Sequence, residues 1–151
     1  MVRKLKKVVL ATALVTGIAA YANGCAIIGT VDFDVKFRPT GAPAAVDCST
    51  AQVPNVGFKF FDQALDNLLR TEVTRPCVPN ERYRVSIDLG PYNIRVQGLN
   101  GQLVVCYETN QLYTVVGGKT EILTFISEQH PAGAQGGCTY PTIVPTPPPG
   151  G

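Results

Sequence analysis

Tyr83-Arg-Val-Ser-Ile-Asp-Leu-Gly-Pro-Tyr-Asn-Ile-Arg-Val-Gln-Gly98 is the stretch on which the fold turns. Tyr83, Val85, Ile87 and Leu89 alternate with Arg84, Ser86 and Asp88; Tyr92, Ile94 and Val96 then alternate with Asn93, Arg95 and Gln97. A period of two, with aromatic and β-branched residues on one side and polar residues on the other, makes a strand with one dry face. Gly90-Pro91 between two such runs predicts an antiparallel pair.

The pattern continues on both sides. Upstream, Val31, Phe33, Val35 and Phe37 alternate with Asp32, Asp34, Lys36 and Arg38, and Val56, Phe58 and Phe60 resume the alternation after a Pro-rich connection from Pro39 to Pro54. Asp62 to Arg75 carries two signals. Ala64, Leu65, Leu68 and Leu69 have helical spacing with Asp62 as cap, whereas Asp66-Asn67 fits a hairpin turn leading into Leu69, Thr71 and Val73; the hairpin is preferred. Downstream, Asn100-Gly101 predicts a turn before Leu103 to Glu108. Gly117-Gly118 joins Tyr113–Val116 to Thr120–Ile126 as a hairpin. Seven to eight short strands and no long helix predict an all-β fold, an antiparallel Ig-like or prealbumin-like sandwich over 31–138. Residues 139–151, rich in Pro and Gly, predict an extended exposed tail.

The first 24 residues read differently. Arg3, Lys4, Lys6 and Lys7 precede an apolar run from Val8 to Ala20 and then small residues, the layout of a removed signal peptide. Cleavage after Ala20-Tyr21-Ala22 would leave Asn23 first. Ala22-Asn23-Gly24-Cys25 instead resembles a bacterial lipoprotein box, which implies lipid attachment at Cys25 and a linker over 25–30. Cysteine number favours the second site. An oxidising compartment pairs thiols; five cannot all pair, but lipidation of Cys25 leaves Cys48, Cys77, Cys106 and Cys138. Four cysteines allow three connectivities. Nearness along the chain favours Cys48 with Cys77 and Cys106 with Cys138, and such wide spacing does not fit zinc or thiol-oxidoreductase motifs.

The formal charge of +2 misleads. Without the four leader cations, nine Lys and Arg face eleven Asp and Glu, and no basic cluster suggests nucleic acid.

Residues 83–98 also resemble the carboxypeptidase regulatory-like, or transthyretin-like, β-sandwich domains of bacterial envelope proteins. Those domains show an aromatic-x-Val-x-Leu strand, a turn containing Tyr, and a Val-x-Val-x-Gly strand. Tyr83, Val85 and Ile87, then Tyr92, then Ile94, Val96 and Gly98 take these places; Gly90-Pro91 reverses the usual Pro-Gly order. Exported lipoproteins of this type often carry a Cys before the second strand and another before the aromatic strand, places that Cys48 and Cys77 match. The resemblance spans residues 27–127 and implies a fold more than an activity.

Chemistry is sparse. His130, the sole histidine, precedes Pro131 in a Gly-rich exit and reads as a solvated loop residue. Ser49, Ser86 and Ser127 lack a Gly-x-Ser-x-Gly context, and the several His and Arg residues and C-terminal tetrapeptide of transthyretin-like hydrolases are missing. Asp32 and Asp34 share a strand face, but no Asp-rich loop completes a calcium site. We expect no enzyme, no metal and no cofactor. Tyr92, Tyr107, Tyr113 and Tyr140 are candidates for sugar stacking. Phe61 should face outward beside Phe58 and Phe60, so Phe61, Tyr92 and Tyr113 form the candidate ligand or partner surface.

The expectation is a non-catalytic cell-envelope lipoprotein that serves as a binding or structural module. It is held on the membrane through its lipid, with Ala26 favouring the outer membrane or cell surface. Its partner would be an envelope protein or a polysaccharide. The alternatives are a soluble periplasmic, secreted or fibre-forming subunit that donates Ile27–Phe37 to a neighbour, and a carbohydrate-binding module.

Overall fold

A computed structural model describes residues 28–118, 120–130 and 136–143. The leader at 1–24, the lipidation candidate Cys25 and residues 144–151 of the tail lie outside the described residues. The described chain runs β1 (Ile28–Arg38), α1 (Cys48–Ala51), β2 (Asn55–Asp62), a 3-10 turn (Gln63–Leu65), β3 (Leu68–Pro76), β4 (Arg82–Asp88), β5 (Gly90–Leu99), β6 (Val105–Val115) and β7 (Thr120–Gln129). No described helix is long and apolar enough to cross a membrane. The last three residues of the expected linker, 28–30, already belong to β1.

All seven strands form one mixed sheet, in the order β3-β2-β5-β6-β7-β1-β4, which curls into a near-barrel. The expected all-antiparallel arrangement is corrected by β1 and β7, which run parallel from Thr30↔Thr120 to Arg38↔Glu128. Two wings fold over one core. β6 and β7 are linked through only two residue pairs, Tyr107↔Gln129 and Glu108↔Glu128, so β3-β2-β5-β6 faces β7-β1-β4.

Phe33 of β1 lies at the centre, with ring centroids 4.8 Å from Phe58, 5.9 Å from Phe60 and 5.6 Å from Phe125. All four rings are buried, each adding about 2 kcal/mol of transfer free energy. On the outer face, opposite charges sit directly across the ladders and fix their register: Lys59 and Glu72, Arg38 and Glu128, Asp32 and Arg84.

The stretch around Gly90 folds otherwise than its pattern suggests. β4 and β5 do not pair with each other: β4 lies against β1, and β5 lies between β2 and β6. Gly90, with φ +149, carries the chain from one wing to the other. That positive φ suits a residue without Cβ. Alternation identifies the buried face of each run but not its neighbour, because the ladder bonds are backbone groups common to every residue.

The hairpin expected at 62–75 is present, and its turn contains the capped feature too. The Asp62 carboxylate accepts from Ala64 N at 2.9 Å, and Asp66 and Asn67 adopt φ of 50 and 61. The tail expectation needs correction at its start. Tyr140 packs edge-on against Tyr107, centroids 5.7 Å apart, and its hydroxyl donates to Cys106 O at 3.4 Å. Tyr107 in turn meets Phe37 at 5.3 Å. Tyr107 and Tyr140 are therefore packing residues, and Gly98 gives this stack room: a Cβ there would lie 2.6 Å from Phe37 Cε1.

Candidate functional site

The edge strands β3 and β4 border one cleft, with no backbone ladder between them. Its wider end, about 410 Å³, unites Arg75 and Pro76 of β3 with Arg82 to Val85 of β4, closed by Val78 and Glu81. Its narrower end, about 170 Å³, brings Arg70 and Thr71 against Ser86, Ile87 and Asp88. The strands thus run antiparallel on either side, as a hairpin whose arms stand apart. Arg70 crosses the gap toward Asp88 at 3.6 Å. Each border leaves one edge of backbone donors and acceptors unpaired, a ready template for an added strand.

The floor of the wide end is apolar, with Tyr83 and Val85 both buried. The Tyr83 hydroxyl accepts from Val78 N at 2.8 Å and donates to Val78 O at 3.3 Å, which pins the β3–β4 connection. Burial pushes this phenol well above the ordinary tyrosine range. The rim is cationic. Arg84 grips Asp32 through two hydrogen bonds of 2.8 and 2.9 Å, and this contact holds the Asp32 carboxyl below its ordinary 3.8. Asp32 is therefore paired with a guanidinium. Arg75 and Arg82 make no salt bridge among the described residues.

The residues singled out from sequence occupy a different place. Tyr92 and Tyr113 are direct cross-strand partners and line a groove of about 430 Å³ with Gln63, Pro91, Leu112 and Thr114. Tyr92, however, is only 2% exposed and stands edge-on to Phe60 at 6.1 Å. It is a core residue rather than a stacking platform. Tyr113 is half-buried and donates to Glu121 Oε2 at 2.5 Å; burial, then that carboxylate, pushes it up to about 12. Phe61 follows a register shift in β2, is half-buried and lies under the Arg95 guanidinium at 5.0 Å. The structure joins Tyr92 to Tyr113 but does not bring Phe61 into their groove.

The cysteines form two pairs of unequal state. Cys106 and Cys138 are disulfide-bonded, with S–S 2.06 Å. The bond expected between Cys48 and Cys77 is not formed: both are free thiols. They nonetheless share the lining of a shallow cavity of about 360 Å³.

His130 is half-buried rather than solvated. Its backbone N donates to Cys106 O at 2.9 Å, and its Nε2 is buried without a hydrogen-bond partner among the described residues. Ser127 is buried and donates to Val96 O, while Ser49 donates to the Asp47 carboxylate that caps α1. Among the described residues no group of three or more His, Cys, Asp or Glu is placed to hold a metal.

Sequence reasoning missed the cleft because its signal is relational. Arg75, Arg82 and Arg84 read as ordinary polar positions of two strands. Only the three-dimensional path shows those strands flanking a gap. No protein-family model, curated protein or solved structure matches the chain.

Proposed function

We propose that the protein is a non-catalytic cell-envelope lipoprotein, tethered through Cys25, whose β-domain captures an extended segment of another envelope protein in the β3–β4 cleft. The observation that carries this reading is the pair of unpaired strand edges flanking an apolar floor and an arginine rim. Strand addition satisfies such edges with main-chain hydrogen bonds, and side-chain pockets select the sequence. The cationic rim selects an acidic strand. The same reading takes the two wings as an opened carboxypeptidase regulatory-like sandwich, supported by the motif at Tyr83–Gly98.

The donor-strand alternative would require β1 to leave β4 and β7, which occupy its two edges. The polysaccharide alternative rests on Tyr113 alone once Tyr92 is in the core.

Intact mass of protein recovered from membrane and soluble fractions tests the tether. A membrane species beginning at Cys25 and carrying lipid is expected; a soluble species beginning at Asn23 would overturn it. For the cleft, an octapeptide of alternating Glu and Val should shift the backbone amides of β3 and β4 in NMR spectra. Shifts confined to the Tyr113 groove, or no shifts, would refute strand capture.

A further inference from the structure

We propose that Cys48 and Cys77 are an oxidisable pair that closes a second disulfide, locking the α1 corner to the β3–β4 connection at the closed end of the cleft. The backbone already holds the two residues together. Cys48 O accepts from Val53 N at 2.9 Å, and one residue later Pro54 O accepts from Cys77 N at 2.8 Å. Two ladder-like bonds thus tie the cysteines to adjacent positions of one short segment. The Asp47 cap fixes α1 from the other side, accepting from Thr50 N at 2.9 Å. Both cysteines line one shallow cavity.

The two sulfurs differ in access. Cys48 is buried at 4% exposure, while Cys77 is half-buried at the cavity. Cys77 is therefore the entry thiol. As thiolate it attacks a disulfide oxidant, such as oxidised glutathione or a dithiol oxidoreductase, forming a mixed disulfide and releasing one thiol of the oxidant. The Cys48 thiolate then attacks the Cys77 sulfur, forms the Cys48–Cys77 bond and expels the second thiol. Two electrons and two protons pass from the pair to the oxidant. Burial pushes the Cys77 thiol upward, so the first step accelerates as pH rises.

The consequence reaches the cleft through one residue. Val78 follows Cys77 directly, and both its backbone N and O are bonded to the Tyr83 hydroxyl on the cleft floor. Fixing Cys77 fixes that connection and the spacing of the two edges beside it. The inference is independent of the lipid tether and of what occupies the cleft.

The test is thiol trapping on the full chain with N-ethylmaleimide, before and after oxidised glutathione, followed by peptide mapping. A Cys48–Cys77 linked peptide beside the Cys106–Cys138 one is the expected product. The melting temperature should rise by about 10 °C, and exchange of the Val78 amide should slow at least tenfold. Maleimide remaining on both residues, or glutathione retained on Cys77 beside a tagged Cys48, would overturn the pair. In Cys48→Ser the glutathione adduct should accumulate on Cys77. An adduct accumulating instead on Cys48 in Cys77→Ser, with none on Cys77 in Cys48→Ser, would overturn the assigned order.

Discussion

At the Cys106–Cys138 end, rings from three parts of the chain interlock: Phe37 over Gly98, Tyr107 against Phe37, Tyr140 against Tyr107. The Asn100 side chain organises the neighbouring turn, accepting from Gln102 N and Val104 N at 2.9 Å and donating to Gly137 O at 2.8 Å. At the β3–β4 cleft, strands of the same alternating kind stand side by side with no ladder, and the nearby cysteines share a cavity without bonding. The sequence separations of the two cysteine pairs are nearly alike. What differs is shape. One end is filled by a row of interlocking rings; at the other, the alternation is satisfied by the core beneath and asks nothing of the edges.

The largest effect should come from opening the closed end. Replacing Cys106 and Cys138 with Ala should cost about 3 to 4 kcal/mol of unfolding free energy in urea titration. A loss under about 1 kcal/mol would show that the ring stack alone holds this end. Next comes Gly98→Ala. Its new Cβ would collide with Phe37 and should cost about 2 kcal/mol, whereas Gly101→Ala, with nothing within 4 Å, should change stability by less than about 0.5 kcal/mol. Similar losses at both glycines would break the contrast.

The pH dependence should divide the molecule in the same way. Asp32, beside the cleft, is held below 3.8 by Arg84. Its contribution is full above that value and is lost as pH falls from there through the lower value of the folded state, so Asp32→Asn should flatten the acid limb of a stability–pH curve. Tyr107, in the ring stack, is pushed up from 10 to about 12 by burial. Its neutral phenol stabilises the fold below pH 10, and that contribution is lost between 10 and 12. Tyr107→Phe should therefore reduce the alkaline loss without moving the acid limb; an unchanged alkaline limb would refute the assignment.

The smallest effect on stability is expected at the rim of the cleft. Arg75→Gln and Arg82→Gln should change it by less than about 0.5 kcal/mol while weakening the Glu-Val peptide. A loss above about 1 kcal/mol would mean that these arginines support the fold rather than a ligand.

Much of this architecture was legible before any coordinates. Val31, Phe33, Val35 and Phe37, like Tyr83, Val85 and Ile87, are buried on the faces that their alternation assigns. Asp62, Asp66 and Asn67 turn the chain where turn chemistry places them. What alternation cannot encode is which edge meets which. The Gly90-Pro91 step looked like a hairpin and is a crossing between wings, and the parallel meeting of β1 with β7 has no local signature. The cleft was illegible for the same reason, being an absence of pairing between two well-marked strands. Tyr92 misled differently. An aromatic residue beside a turn reads equally as platform or core, and only the proximity of Phe60 decides.

The parallel join of β1 to β7 also sets the order in which the molecule can assemble. Thr30 must wait for Thr120, and Ile28 for Asp88, before either edge of the first strand is satisfied. Contacts so distant along the chain delay the rate-limiting closure and place folding among the slow, millisecond-to-second topologies. During that interval β2, β3, β5 and β6 can pair among themselves, while the apolar side of β1 stays uncovered. The strand that carries Phe33, the centre of the finished core, is thus the most exposed part of the unfinished one, and its Asp32, Asp34 and Lys36 are the charges that keep it from pairing with strangers.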